Sequence, residues 1–167
     1  MPITELPFGL PGRIFRSPMP FHSSYDPHGT AYDALKREGV TTIVVLAQDH
    51  ECREKSGRDL LDLYRGDGYD VIPFPIEDLC APDVAALEEM VRTVAETAQQ
   101  GKHVAVHCSY GRGRTGTLMA ALAKYLRNCS AEDAIAWVRQ FVPGAVEMPV
   151  QERAVEEAFS GLSGDQR

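Results

Sequence analysis

Apolar positions along the chain fall into short runs separated by stretches with helical spacing. Val40 to Leu46, rich in β-branched residues, has strand length, and so has Tyr69 to Phe74, which the turn Gly66-Asp67-Gly68 sets off; both read as buried strands. His103 to Val106 reads as a third, and Arg13 to Arg16 as a short strand suited to a sheet edge. Tyr32 to Glu38, ending at Gly39, and Asp59 to Tyr64 predict helices, whereas Gln48 to Ser56 reads as a polar connection. Leu87, Val91, Val94 and Ala98 recur every three to four residues and predict a long helix, opened by Asp83 and closed by Gly101. Further helices are expected over Thr115 to Arg127, with Leu118, Leu122 and Leu126 on one face, from Ser130 to a stop at Pro143-Gly144, and over Val150 to Phe159. Tyr125, Trp137 and Phe141 lie inside these patterns and read as core.

Strands alternating with helices predict an α/β fold, a mainly parallel central sheet flanked by helices. A chain of 167 residues fits one domain, with its core over about residues 10–159 and a flexible tail at 160–167. Composition narrows the function classes. Hydrophobic residues make up 44% and charged residues 25%, which argues against disorder, and the net charge of −7 disfavours non-specific binding to nucleic acid or anionic membranes. No apolar run has the length of a membrane span, and Met1 to Leu10 lacks the pattern of a secretory signal, so a cytoplasmic monomer is expected. Cys52, Cys80, Cys108 and Cys129 are widely spaced, and His103 and His107 are four apart on a strand; neither set suggests a metal site, and no cofactor is called for.

An anionic substrate would need a local basic site, and residues 107–116, His-Cys-Ser-Tyr-Gly-Arg-Gly-Arg-Thr-Gly, supply one between the third strand and a helix. In such a loop successive backbone N–H groups can converge on one point at a helix N-terminus, which suits a tetrahedral oxyanion. Gly111, Gly113 and Gly116 allow the close bend. The same donors stabilise a thiolate at Cys108, and Arg114 at the loop's far end has the planar fork that binds two phosphoryl oxygens. Ser109, Tyr110, Gly111, Arg112 and Gly113 complete the loop.

This stretch resembles the signature of the cysteine-based protein tyrosine phosphatase superfamily: His-Cys, five residues, Arg, Ser or Thr, Gly. The compact length is similar to that of its small dual-specificity members, and the likeness covers roughly Leu10 to Phe159. Pro75 to Pro82 looks like that family's general-acid loop, and Leu10 to Arg16 and Val146 to Val155 are also similar. The resemblance implies the family's three-layer fold and a metal-free hydrolysis of phosphate monoesters, above all of phosphotyrosine in proteins or peptides. It implies that Cys108 attacks phosphorus, Arg114 clamps the phosphate, Asp78 acts as acid and then base, and Thr115 steadies the departing thiolate. Asp83 is the other carboxylate in reach of that role, but reads better as a helix N-cap; Glu77 ranks behind both. Gln151 matches a water-positioning glutamine, or is an ordinary surface residue. His107 would brace the loop and tune the thiolate, and Glu147 would pair with one of the loop arginines.

Other readings share these residues. A second charge at Arg112 suits an inositol phosphate or phosphoinositide phosphatase, or else faces solvent. A rhodanese-type sulfurtransferase also sets a reactive cysteine after a strand, and a binding module on the same fold would hold phosphorylated partners. Cys80, in the acid loop, is a candidate redox partner for Cys108.

Overall fold

The computed structural model describes residues 2–161. Five strands form one sheet: β1 (Thr4–Leu6), β2 (Ile14–Ser17), β3 (Thr42–Val45), β4 (Asp70–Pro73) and β5 (Val104–His107), in the order β1-β2-β5-β3-β4. Only the β1–β2 pairing is antiparallel; β2, β5, β3 and β4 run parallel. Seven helices cover its faces: α1 (Thr30–Arg37), α2 (Asp49–Ser56), α3 (Leu60–Gly66), α4 (Val84–Gln99), α5 (Gly113–Arg127), α6 (Ala131–Phe141) and α7 (Pro149–Glu157). This is the three-layer α/β arrangement expected from the alternating pattern.

Strand periodicity sorts the core into two halves. Val44, Val104 and Val106 face α4 to α7, where Val91, Val94, Leu118, Leu122 and Val138 pack. Ile43, Val45 and Ala105 face the other way, onto Tyr32 and Leu35 of α1 and Leu60 and Tyr64 of α3. Because β3 and β5 are covered on both faces, every residue in them is buried, which is why they read as apolar runs rather than alternations. Helix α5 lies among the sheet, α4, α6 and α7, and Gly113 to Lys124 are buried without a break. Trp137 meets Phe8 at a tilt and Phe141 edge-on, and Tyr125 stacks with Phe159, against the same core.

Several expectations need correction. The strand read at Arg13 to Arg16 is interior, lying between β1 and β5; β1, only three residues long, is too short for a period to register and takes the edge instead. Ile3 and Leu6 are buried, so the core begins before residue 10. Gln48 to Ser56 holds a helix, α2, whose buried residues are Glu51 and Cys52; an acidic buried face leaves no apolar stripe to detect. The tail read as flexible at 160–167 lies outside the described residues from position 162 onward. No helix among those described is long and apolar enough to cross a membrane.

Asp83 caps α4, its carboxylate accepting from Ala86 N at 3.2 Å. Asp83→Ala is therefore expected to cost about 1 kcal/mol of stability, read by urea denaturation.

Candidate active site

The candidate residues gather at the carboxyl ends of the parallel strands, where ligands bind in open α/β sheets. β5 ends at His107, in register with Ser17 and Val45; the loop follows, and α5 starts at Gly113. A cleft of about 330 Å³ opens there, lined on the loop side by Cys108, Ser109, Tyr110, Arg112, Gly113 and Arg114. Tyr25, Lys55, Asp78, Leu79 and Glu147 form its other walls. Cys108 itself is only 3% exposed.

Every carbonyl of the loop is turned outward and bonded. His107 O accepts from Leu46 N (2.9 Å), Cys108 O from the His107 ring (3.0 Å) and Ser109 O from Met19 N (2.9 Å). Arg16, on β2, donates from Nη2 to Tyr110 O (2.8 Å) and from Nε to Gly111 O (3.0 Å). Arg112 O accepts from Gly116 N at 2.9 Å. The N–H groups of Ser109 to Arg112 have no acceptor among the described residues. A peptide unit that bonds outward through oxygen presents its N–H inward, which is the geometry of an anion-binding nest. Gly111 has φ +90, and a Cβ there would lie 2.5 Å from Ser17 O, so the turn needs glycine.

Arg114 is held by α2. Its Nη1 and Nη2 donate to Glu51 Oε1 and Oε2 at 2.9 and 3.0 Å, and Nη1 also donates to Ile76 O at 2.8 Å. The two side chains are 1% and 8% exposed. Burial works to raise the Glu51 carboxyl, but hydrogen bonds and charge from Arg114 outweigh it and hold the group below its usual range. Arg114 Nε is buried without a partner, and so is Thr115 Oγ1. Two polar groups next to the cleft thus retain unused hydrogen-bonding capacity, which is costly unless a ligand takes it up.

Asp78 is in the cleft, 56% exposed, with Oδ1 3.2 Å from Arg114 Nη2. His107 is fully buried; its Nδ1 faces Cys108 O and its Nε2 faces Tyr64 Oη, both at 3.0 Å. Burial pushes its pKa down to about 4, so it braces the loop as a neutral ring rather than adding charge beside the thiol. Glu147 pairs with Arg112, not Arg114, at 2.6 Å. Gln151 is buried, which removes the surface reading: Oε1 caps α7 at Glu147 N and Met148 N, and Nε2 donates to Cys80 O at 3.2 Å. Glu51, Lys55, His22, Arg16 and Tyr64 also surround the loop, and no motif marks them in the sequence. The one available signal was the acid–base spacing of Glu51 and Lys55, four apart, inside a stretch with no apolar period.

Both pH responses have the same sign. The His107 pKa is lowered from the ordinary 6.5 to about 4, so its contribution to stability is complete above pH 6.5 and is lost as pH falls toward 4. The depressed Glu51 contributes above the ordinary carboxylate range and is lost below it. Denaturation midpoints measured from pH 7 to 4 are expected to fall steadily. Glu51→Ala, which strands a buried guanidinium, is expected to cost about 3–5 kcal/mol at neutral pH.

Comparison with known proteins agrees with this geometry. A family model described as a polymorphic toxin system DSP-PTPase phosphatase matches residues 19–128. The chain is 36% identical over 150 residues to the dual specificity protein phosphatase CDC14C of Symphalangus syndactylus, covering 86% of this chain and 28% of that protein. It is 29% identical over 126 residues to the phosphatidylglycerophosphate phosphatase PTPMT1 of Arabidopsis thaliana, covering 75% of this chain and 36% of that protein. It thus spans 28% of the first relative's length and 36% of the second's. Tk-PTP in its active form superimposes with a TM-score of 0.76 at 33% identity, over 90% of this chain and 94% of that one. Kinase associated phosphatase superimposes at 0.85 over 97% and 96%, where 24% identity speaks for the fold alone. With more than half its length inside the matching family model and a phosphatase fold around its cysteine loop, the chain belongs to the cysteine-based protein tyrosine phosphatase superfamily, as a small dual-specificity phosphatase-like member.

Proposed function

We propose that this chain hydrolyses phosphate monoesters through a phosphocysteine intermediate, with phosphotyrosine in proteins or peptides as the main substrate and phosphoserine or phosphothreonine as further ones. The observation that carries this reading is convergence: Cys108, the unpartnered Arg114 Nε, inward-facing loop N–H groups and Asp78 meet in one cleft. The Cys108 thiolate attacks phosphorus as the bond to the ester oxygen breaks. Asp78 protonates that oxygen, while Arg114 and the loop donors hold the phosphoryl oxygens. Water then attacks the phosphocysteine, giving up a proton to Asp78, and the thiolate leaves toward the Thr115 hydroxyl. Gln151, buried and bonded to the acid loop at Cys80 O, positions α7 against that loop.

An exposed aromatic pair at the rim, Tyr25 and Tyr110 with ring centroids 4.7 Å apart, supports an aryl ester. The relatives named as protein phosphatases support it too. The inositol phosphate alternative relied on a free charge at Arg112, but Glu147 takes that charge and the guanidinium lies over the Tyr110 ring. The four thiols, none in a disulfide, fit the cytoplasm.

Hydrolysis of p-nitrophenyl phosphate in excess chelator tests the proposal. Wild type is expected to turn over, Cys108→Ser to be inactive, and Asp78→Ala to fall by roughly 10² to 10⁴. Full activity in Cys108→Ser would refute the mechanism. Faster release of phosphate from inositol polyphosphates than from phosphotyrosine peptides would refute the substrate class.

A further inference from the structure

Ser109 is tied by two side chains that the reaction described above does not use. Lys55 Nζ, on α2, lies 3.0 Å from Ser109 Oγ, and His22 Nε2 lies 3.1 Å from the same oxygen. The direction of the His22 bond follows from its other nitrogen. Nδ1 is 3.0 Å from Ser24 N and 3.4 Å from Tyr25 N, and backbone N–H groups can only donate. Nδ1 is therefore the acceptor, Nε2 carries the hydrogen, and His22 donates to Ser109 just as Lys55 does. Burial, and then the charge of Lys55, hold the imidazole below its ordinary pKa, in keeping with a neutral ring.

A hydroxyl offers two lone pairs and one proton. Both lone pairs of Ser109 are taken, so its proton points at neither partner. The residue is 7% exposed and lines the cleft beside Cys108, so the open direction is the one a phosphoryl group would occupy. Accepting from a cation polarises the O–H and strengthens it as a donor. Lys55 is itself set by Glu51, 3.6 Å away, the carboxylate that also holds Arg114.

We propose that Ser109 is a catalytic residue whose O–H donates a hydrogen bond to an oxygen of the transferring phosphoryl group, and that Lys55 and His22 are positioning residues that orient and polarise this donor. The inference rests on the phosphatase reading. No proton leaves Ser109; the bond strengthens as charge shifts onto the phosphoryl oxygens.

A double-mutant cycle tests it. On p-nitrophenyl phosphate, Ser109→Ala is expected to lower kcat by about 10²-fold with little change in KM. Lys55→Met should lower it roughly tenfold in the wild-type background and not at all when Ser109 is already alanine. His22→Gln, which keeps a donor, should retain more activity than His22→Leu. The Lys55 side chain is one-third exposed, so its replacement removes the least packing of the three, and a urea denaturation midpoint at the wild-type value checks that the variant is folded. Equal losses from Lys55→Met in both backgrounds, or an unchanged kcat in Ser109→Ala, would overturn the inference. The same cycle run on tungstate binding by calorimetry needs no turnover. An inactive wild type that binds tungstate through Ser109 would sink the phosphatase reading while upholding the donor; tungstate affinity untouched by Ser109→Ala would sink the donor.

Discussion

The two-pronged contact between Glu51 and Arg114 is the constraint on which the rest of the site depends. A guanidinium 1% exposed is tolerated only with a partner in good geometry, and this one is met by both carboxylate oxygens and by Ile76 O. The contact joins three segments that are distant in sequence: α2, the start of α5 and the entry to the loop that carries Asp78. With both Nη groups engaged, Nε is the donor left over for a ligand.

Around this clamp the loop is held from outside. Met19 and Leu46 bind its carbonyls through the backbone, and Arg16 does so through its side chain. His107 bridges Tyr64 to Cys108 O beneath it. The result is preorganisation: the loop's donors are fixed in place by the fold, as the proposed phosphoryl transfer would require. The cost is local. Leu79, next to Asp78, has φ +65, an uncommon conformation for a leucine, and stands half-exposed at the cleft wall.

A chain of net charge −7 concentrates cations at one place. Arg112, Arg114 and Lys55 all line the cleft, but Glu147 and Glu51 stand against them. Partial neutralisation leaves the directional donors and the Tyr25–Tyr110 rim as the features that the proposed substrate would meet. The His22 ring lies against Tyr25 at a tilt, with centroids 4.3 Å apart, while also bonding Ser109, so the rim and the loop share a support.

The sequence by itself determined the strand–loop–helix that carries Cys108, the alternation that makes a three-layer sheet, and the caps at Asp83 and Ser130. These are local: spacing, turn chemistry and apolar period act within a few residues, and a fixed order of residue types records them. It also marked Asp78 and Thr115 through a motif. What only the tertiary structure decided is who supports them. Glu51 and Lys55 sit on a helix whose buried face is charged because it points at the loop, and that face erases the period by which helices are found. Arg16 reads as a strand residue until β2 is paired beside β5, 94 residues from the carbonyl it binds. Gln151 reads equally as a water-positioning or a surface glutamine until α7 packs its side chain between a helix cap and the loop at Cys80. Long-range partners of this kind leave no mark in local spacing, because folding alone brings them together.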